Sequence, residues 1–286
     1  VLLEIIGLML LFWSFYQIIK KLLIKRKYKI SFLLVVFIAV LTDVLFNQFK
    51  LFSLTNTSLL FSSNLYASTN LSDTLGTLLI RTFLVAWVLS LLRFLDANFI
   101  KNKNWLLVFP VAVYFIIVAI IQSVIQNSVI SFNFYLVNTL DKYTLISLVV
   151  FGFSFSSLLF LMKWIFEQPL SKSFFWFTIV FSIVGVVVAV YLGAFNDVLY
   201  AVFLTLWLIT FILFFYYEKS FFQSNRKYKF LSNLILLSFI AFLTSVIIIF
   251  NTGQKDIEKR KYRMAELVSE RDIGEEYTLI ETEKSI

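Results

Sequence analysis

Two ionisable residues, Asp43 and Arg81, lie well inside apolar stretches of this sequence. A charged side chain in the middle of a membrane-spanning helix costs about 2.5–3.5 kcal/mol on insertion scales, so such residues are usually paired and functional. Asp43 stands six residues before the end of one apolar run at Phe49, and Arg81 six residues after the start of the next at Leu75. At 1.5 Å per helical residue, both lie about 9 Å below the same boundary. The sequence therefore predicts an intramembrane ion pair between Asp43 and Arg81.

The predicted pair has two alternatives. In the first, each side chain extends separately to the membrane surface, which a long Arg side chain does easily and a short Asp side chain does poorly. In the second, Arg81 pairs with Glu4, which lies near the outer end of the first apolar run.

Other residue types that carry catalysis are scarce. The chain has no Cys and no His, which excludes disulfides, thiolate metal sites, imidazole catalysis and a phosphohistidine within this stretch. Neither the GxxxxGK[ST] nor the GxGxxG phosphate-binding pattern occurs. Asp73, Asp141 and Asp197 are single, isolated acids. We therefore expect no catalytic, cofactor-binding or metal-binding residue in this stretch.

The composition is that of a polytopic membrane protein. Hydrophobic residues make up 60% of the chain and charged residues 15%, against about 45–50% and about 25% in soluble domains. Continuous apolar runs of about 20 residues favour transmembrane helices over the alternating strands of a β-barrel. The predicted fold is all-α, a bundle of about eight spans followed by an amphipathic, charge-rich helix. The spans fall at about 1–19, 31–49, 75–95, 105–124, 143–164, 174–192, 198–217 and 231–250.

The distribution of basic residues predicts the orientation. Fifteen Lys and Arg lie in or beside the predicted inner loops 20–30, 97–104, 165–173 and 218–230, against two in the outer loops. By the positive-inside rule, the N-terminus and the C-terminal tail lie outside the cell. The net charge of +8 is then explained by orientation, so the predicted partner is the lipid bilayer and not nucleic acid. Five bases just beyond the last span oppose this topology, and the alternative is a miscounted span with a cytoplasmic tail.

Two regions outside the spans have distinct patterns. The Ser-, Thr- and Asn-rich residues 51–73 indicate an outer loop that lies on the membrane surface through residues such as Phe61 and Tyr66. Residues 252–286, the start of an extracytoplasmic domain after the 1–251 bundle, carry an apolar face of Ile257, Met264, Leu267 and Val268. We expect a helix over 253–272 and a change of direction near Gly274. Too few residues follow to form a core, so the chain is interpreted as a piece of a longer protein.

Three segments resemble a known family. They are YAS and SDTLGTLL within 66–79, ISFNF and LDKY within 130–143, and AELVSERD and EEY within 265–277. In this order they are similar to the N-terminal membrane region of large bacterial multi-pass sensor histidine kinases of two-component systems.

The resemblance implies a function for the longer protein. This region would be the non-catalytic input module in the bacterial plasma membrane, followed by an extracytoplasmic sensing domain, a further span and a kinase core. The kinase core would use ATP and Mg²⁺ and transfer phosphate to a response regulator. The resemblance also implies a homodimer. No catalytic residue carries over, because the phosphoacceptor His and the ATP-binding motifs would lie beyond Ile286.

One alternative function stays open. A polytopic bundle with a soluble C-terminal appendage is also typical of a transporter, and lipid-linked sugar enzymes are a further class. A transporter needs polar groups inside the bundle, and Asp43 and Arg81 are the only ionisable residues well inside predicted spans. This scarcity favours the interpretation of the chain as the membrane region of a sensor kinase.

Overall fold

The computed structural model describes residues 2–44, 59–68, 72–94, 108–132, 141–167, 172–191, 197–221 and 226–284. Within these ranges the chain is all-helical, with two isolated β-bridges and no strand. The helices are α1 (Leu2–Ile24), α2 (Tyr28–Asp43), α3 (Leu75–Ser90), α4 (Val108–Gln126), α5 (Lys142–Glu167), α6 (Lys172–Tyr191), α7 (Val198–Phe221) and α8 (Arg226–Lys284). The predicted all-α fold is confirmed.

Every predicted span overlaps one of these helices, and residues 1, 45–49, 95, 105–107 and 192 of the predicted spans lie outside the described residues. Among the described residues, four segments are long and apolar enough to cross a bilayer, over Phe109–Gln126, Lys142–Phe166, Val198–Tyr217 and Phe230–Leu267. The apolar segments Tyr28–Thr42 and Leu75–Ser90 are shorter. A membrane protein with at least four candidate spans is therefore supported, and the crossing of the bilayer by all eight helices stays a prediction.

The C-terminal helix differs from the expectation. The last predicted span and the tail form one continuous helix, α8, which passes through Gly253 and Gly274 and ends at Lys284. The predicted change of direction near Gly274 is wrong. A helix-interior Gly costs about 1 kcal/mol relative to Ala, and the surrounding Glu, Lys, Arg and Ala are strong helix formers that offset this cost. The helix also crosses the predicted domain boundary at residue 251 without a break.

The turn between α1 and α2 ends α1 with a Schellman motif. The backbone N–H of Lys27 donates to the carbonyl of Leu22 at 3.0 Å, and that of Arg26 donates to Leu23 at 2.9 Å. Arg26 has a φ of 57°, the left-handed region that this motif requires and that Gly usually occupies. The tight turn places α2 against α1, and the two helices pack together.

The start of α3 is fixed by a capping box. The Thr74 side chain accepts from the backbone N–H of Thr77 at 3.3 Å, and the Thr77 hydroxyl accepts from the N–H of Thr74 at 3.3 Å. Ser72 adds a hydrogen bond to the Thr77 hydroxyl. Two N–H groups that the helix itself leaves unpaired are thereby satisfied, so α3 begins at Leu75 as predicted.

The buried side chains form two clusters that share α3. The larger cluster contains residues of every helix from α3 through α8, including the fully buried Ile121, Met162 and Leu204. The smaller cluster joins α1 and α2 to the second half of α3, through Ile19, Ile38 and others. Since α3 also packs along α5, it connects the α1–α2 pair to the rest of the bundle.

Candidate functional site

The structure places the two predicted site residues on neighbouring helices. Asp43 is the last residue of α2, and Arg81 is exposed on α3; the two helices are in contact. The side chain of Asp43 lies outside the described residues, as does that of the competing partner Glu4. The Asp43–Arg81 pair and its alternatives therefore stay predictions.

A group of polar side chains connects α4, α7 and α8, and Asn251 of α8 lies at its centre. The Asn251 side chain is 1% exposed. Its amide nitrogen donates to the Tyr200 hydroxyl at 3.3 Å and to the Ile247 carbonyl at 2.8 Å. Its amide oxygen accepts from the Gln126 side chain at 3.3 Å. Because amide donors and acceptors are all used, Asn251 fixes α8 against α4 and α7.

Lys255 makes a second connection one turn further along α8. Its ammonium donates to the backbone carbonyls of Ile125 at 2.6 Å and Ser128 at 2.5 Å. These carbonyls lie at and just beyond the end of α4, where a helix leaves its last carbonyls unpaired and carries partial negative charge. Lys255 therefore caps α4 from another helix. We call Gln126, Tyr200, Asn251 and Lys255 the polar junction.

Aromatic packing also stabilises the contact between α7 and α8 at the polar junction. The ring of Tyr200 stacks on the ring of Phe250, with centroids 3.9 Å apart and an angle of 5° between the planes. Gln122 of α4 also hydrogen-bonds to Tyr200. The stack and the hydrogen bonds together hold α7 and α8 in one relative position.

The loop segment 59–68 packs on the bundle beside this junction. Tyr66 is fully buried, and its hydroxyl hydrogen-bonds with the Ser123 hydroxyl at 2.9 Å. The backbone N–H of Val129 donates to the Leu65 carbonyl at 3.1 Å, and Tyr66 forms an antiparallel bridge with Ser128. The expectation that Tyr66 lies on the membrane surface is therefore wrong, because its ring fills the core and its hydroxyl finds a partner there.

The chemistry of the polar junction is structural. Its side chains are amides, a phenol and an ammonium, with no carboxylate that could act as a general base. Among the described residues, no group of three or more Asp, Glu, His or Cys could hold a metal ion. The arrangement binds helices to each other and offers no reacting pair of groups.

Comparison with protein-family models, with curated proteins and with solved structures finds no match for this chain. The resemblance to sensor histidine kinases therefore stays a prediction.

Sequence reasoning did not find the polar junction. Asn251 is the last residue of the predicted 1–251 bundle, and Lys255 is one of the five bases that oppose the predicted topology. Their partners Gln126 and Ser128 are more than 120 residues earlier in the chain. The one local signal is that Asn251 directly follows an apolar run at a depth where an amide needs a partner.

We expect Lys255→Met to lower the free energy of unfolding by about 1–3 kcal/mol, because two carbonyls at the end of α4 lose their donor. Thermal unfolding in a neutral detergent measures the loss, and hydrogen exchange of residues 124–132 should become faster. Lys259→Met is the matched control, since Lys259 is exposed one turn further along α8. Equal stability of the two variants would contradict the role of Lys255.

The predicted pair is tested by a double-mutant cycle. Asp43→Asn and Arg81→Gln should each lower stability, and the cycle should give a coupling of about 1 kcal/mol or more if the charges interact. Additive losses would show that the two side chains do not meet. The cycle of Glu4→Gln with Arg81→Gln tests the competing partner in the same way.

Proposed function

We propose that this chain is the membrane-embedded, non-catalytic input region of a bacterial two-component sensor histidine kinase. The observation that carries the proposal is the continuity of α8, which leaves the bundle through the polar junction and extends into the charged segment as one helix. A receptor needs a rigid element that reports the state of its membrane part to a neighbouring domain.

The geometry of α8 suits this role. From Lys255 to Lys284 the helix extends about 45 Å at 1.5 Å per residue. The polar junction ties the start of this extension to α4 and α7. A displacement of α4 or α7 would therefore move α8 with it, and the helix would carry the movement along its length. This is a mechanical link and needs no catalytic group in the bundle.

The bundle gives less support to a transporter. A groove of 380 Å³ between α5 and α8 is lined by apolar and small residues that include Gly152 and Ala241. Its two hydroxyls, of Thr244 and Ser245, donate to carbonyls of their own helix at 2.7 and 2.9 Å. Both hydroxyl protons are therefore used within α8, so the hydroxyls of this groove offer an ion or a polar solute only their oxygen lone pairs.

We also propose the predicted orientation, with the polar junction at the outer surface of a bacterial plasma membrane. The Thr144 hydroxyl near the start of α5 donates to the Ser131 carbonyl at 3.0 Å, beyond the end of α4. Near the opposite ends of α5 and α8, Lys163 donates to Asn233 at 3.3 Å. These contacts support the alternating chain direction that the loop charges predict.

In this proposal the chain itself holds no cofactor. ATP and Mg²⁺ belong to the kinase core of the longer protein, and that core meets the response regulator. A second copy of the chain is the expected partner within the membrane, and nucleic acid is not a partner.

Single-cysteine labelling tests the orientation cleanly, because the natural chain has no Cys. Cysteine at Arg26 should be protected from a membrane-impermeant maleimide in intact cells, and cysteine at Asn64, in the outer loop, should react. Both should react in broken membranes. A reactive Arg26→Cys in intact cells would contradict the topology.

The function is tested in the longer protein. We expect the reading frame after Ile286 to encode a further span, a His-containing helix pair and a Gly-rich ATP-binding domain. In membranes with labelled ATP, Lys255→Met should change the rate of autophosphorylation at least about twofold, since coupling mutations act by about 0.5–2 kcal/mol. Lys259→Met should leave the rate unchanged. A reading frame without a kinase core would overturn the proposal.

A further inference from the structure

The α1–α2 end of the bundle carries a groove that no role described above uses. The groove has a volume of 260 Å³ and lies between α1, α2 and the end of α3. Its lining residues are Ile19, Leu23, Tyr28, Ser31, Phe32, Val35, Val88, Leu91 and Leu92. The side chain of Phe32 is 72% exposed, so the groove opens to the surface of the bundle.

The groove offers a ligand almost no polar group. Ser31 and Tyr28 are the polar residues of its lining, and the hydroxyl of Ser31 donates its proton to the Lys27 carbonyl at 3.0 Å. The volume is just below the roughly 300–1,000 Å³ of pockets that hold drug-sized molecules. An apolar groove of this size on an apolar helix pair suits one narrow hydrocarbon chain.

A strongly basic turn adjoins the groove. Lys25, Arg26, Lys27 and Lys29 are all exposed, and no acidic residue occurs between Glu4 and Asp43. We call these four bases the basic turn.

Hydrogen bonds to the backbone connect the basic turn to residues that line the groove. The N–H of Arg26 bonds to the carbonyl of Leu23, which lines the groove, and the carbonyl of Lys27 bonds to Ser31, which also lines it. The positive charge therefore lies at one end of the apolar groove.

Arg26 has a left-handed backbone conformation, which Gly adopts more easily than Arg. At a φ of 57° a non-Gly residue is strained by roughly 1–2 kcal/mol, and Gly would complete the same Schellman motif without that cost. The basic turn thus holds a cation where the backbone alone favours Gly.

We propose that the groove and the basic turn together bind one anionic phospholipid, with an acyl chain in the groove and the phosphate at the basic turn. The charge of the turn selects an anionic headgroup, and the apolar lining selects hydrocarbon. A basic pocket between membrane helices is a recognised setting for anionic headgroups. Orientation alone would explain the bases but not a groove that ends beside them.

The test titrates delipidated protein in neutral detergent with dioleoyl-phosphatidylglycerol or dioleoyl-phosphatidylcholine and counts bound lipids by native mass spectrometry. We expect the first phosphatidylglycerol to bind at least about tenfold more tightly than phosphatidylcholine, because several bases near the surface each contribute about fivefold. Equal binding of the two lipids would overturn the proposal.

Charge variants locate the headgroup. The triple variant Lys25→Gln, Lys27→Gln, Lys29→Gln should weaken phosphatidylglycerol binding about a hundredfold. Lys27 makes no side-chain cap to α2, so the helix start is kept. The matched control is Lys259→Gln, Arg260→Gln, Lys261→Gln, which removes the same charge from exposed positions of α8 and should leave binding unchanged. Equal losses in both triples would show nonspecific attraction and contradict the site.

Arg26→Gly separates binding from stability. It should weaken phosphatidylglycerol binding about fivefold while the thermal unfolding temperature stays equal or rises, because Gly relieves the left-handed backbone. Unchanged binding would remove Arg26 from the site.

Groove variants locate the acyl chain. Val35→Trp fills the groove and should weaken phosphatidylglycerol binding at least about tenfold with the basic turn intact; Val88→Phe repeats the test if Val35→Trp does not fold. Retained binding in a folded groove variant would overturn the proposal. Displacement of the lipid by inorganic phosphate alone would show a headgroup-only site and would also contradict it. A dimer that forms through the groove in place of lipid binding would contradict the proposal as well.

Discussion

The structure depends on one constraint: polar groups within apolar helices must find partners inside the protein. Most hydroxyls meet it locally, by donating to the carbonyl one turn earlier in their own helix. Thr82 does so to Leu78 at 3.0 Å, and Ser154 to Val150 at 2.8 Å. Because such hydroxyls are satisfied without a second helix, they place no demand on how the helices pack.

Side chains that cannot bond within their own turn then decide how the helices are connected. Asn251 has donors and an acceptor, and its own helix supplies only the Ile247 carbonyl. Its remaining groups require Tyr200 of α7 and Gln126 of α4. The polar junction therefore holds several of the specific connections between helices. Tyr114 of α4 adds another by donating to the Leu204 carbonyl of α7 at 3.0 Å, and apolar packing supplies the bulk of the remaining contacts. At the α1–α2 end, the buried hydroxyls of Ser31 and Thr42 donate to carbonyls one turn earlier, at Lys27 and Ile38, and this end of the bundle carries the open groove.

The helices could be predicted because their signal is local. Apolar runs of about 20 residues predicted a span at each of the eight helices, and the start of the third run coincides with the start of α3 at Leu75. The predicted change of direction is wrong because it gives weight to Gly274 and to the end of the apolar face, whereas the charged helix formers around Gly274 keep α8 continuous. The polar junction and the burial of Tyr66 could not be predicted, because Lys255 and Tyr66 bond to residues 57 to 130 positions away.

Lys255 also bears on the orientation. Five bases follow the last apolar run on the side predicted to be outside, which the positive-inside rule disfavours. Lys255, the first of them, donates to the carbonyls of Ile125 and Ser128, so its place is explained by the cap that it gives to α4. A base held in a structural hydrogen bond is retained for packing and is weak evidence about orientation. The other four lie in a segment whose nine acids exceed its seven bases, as expected of an exposed helix in water. The five bases of the tail are therefore weaker evidence against the predicted orientation than their number alone indicates.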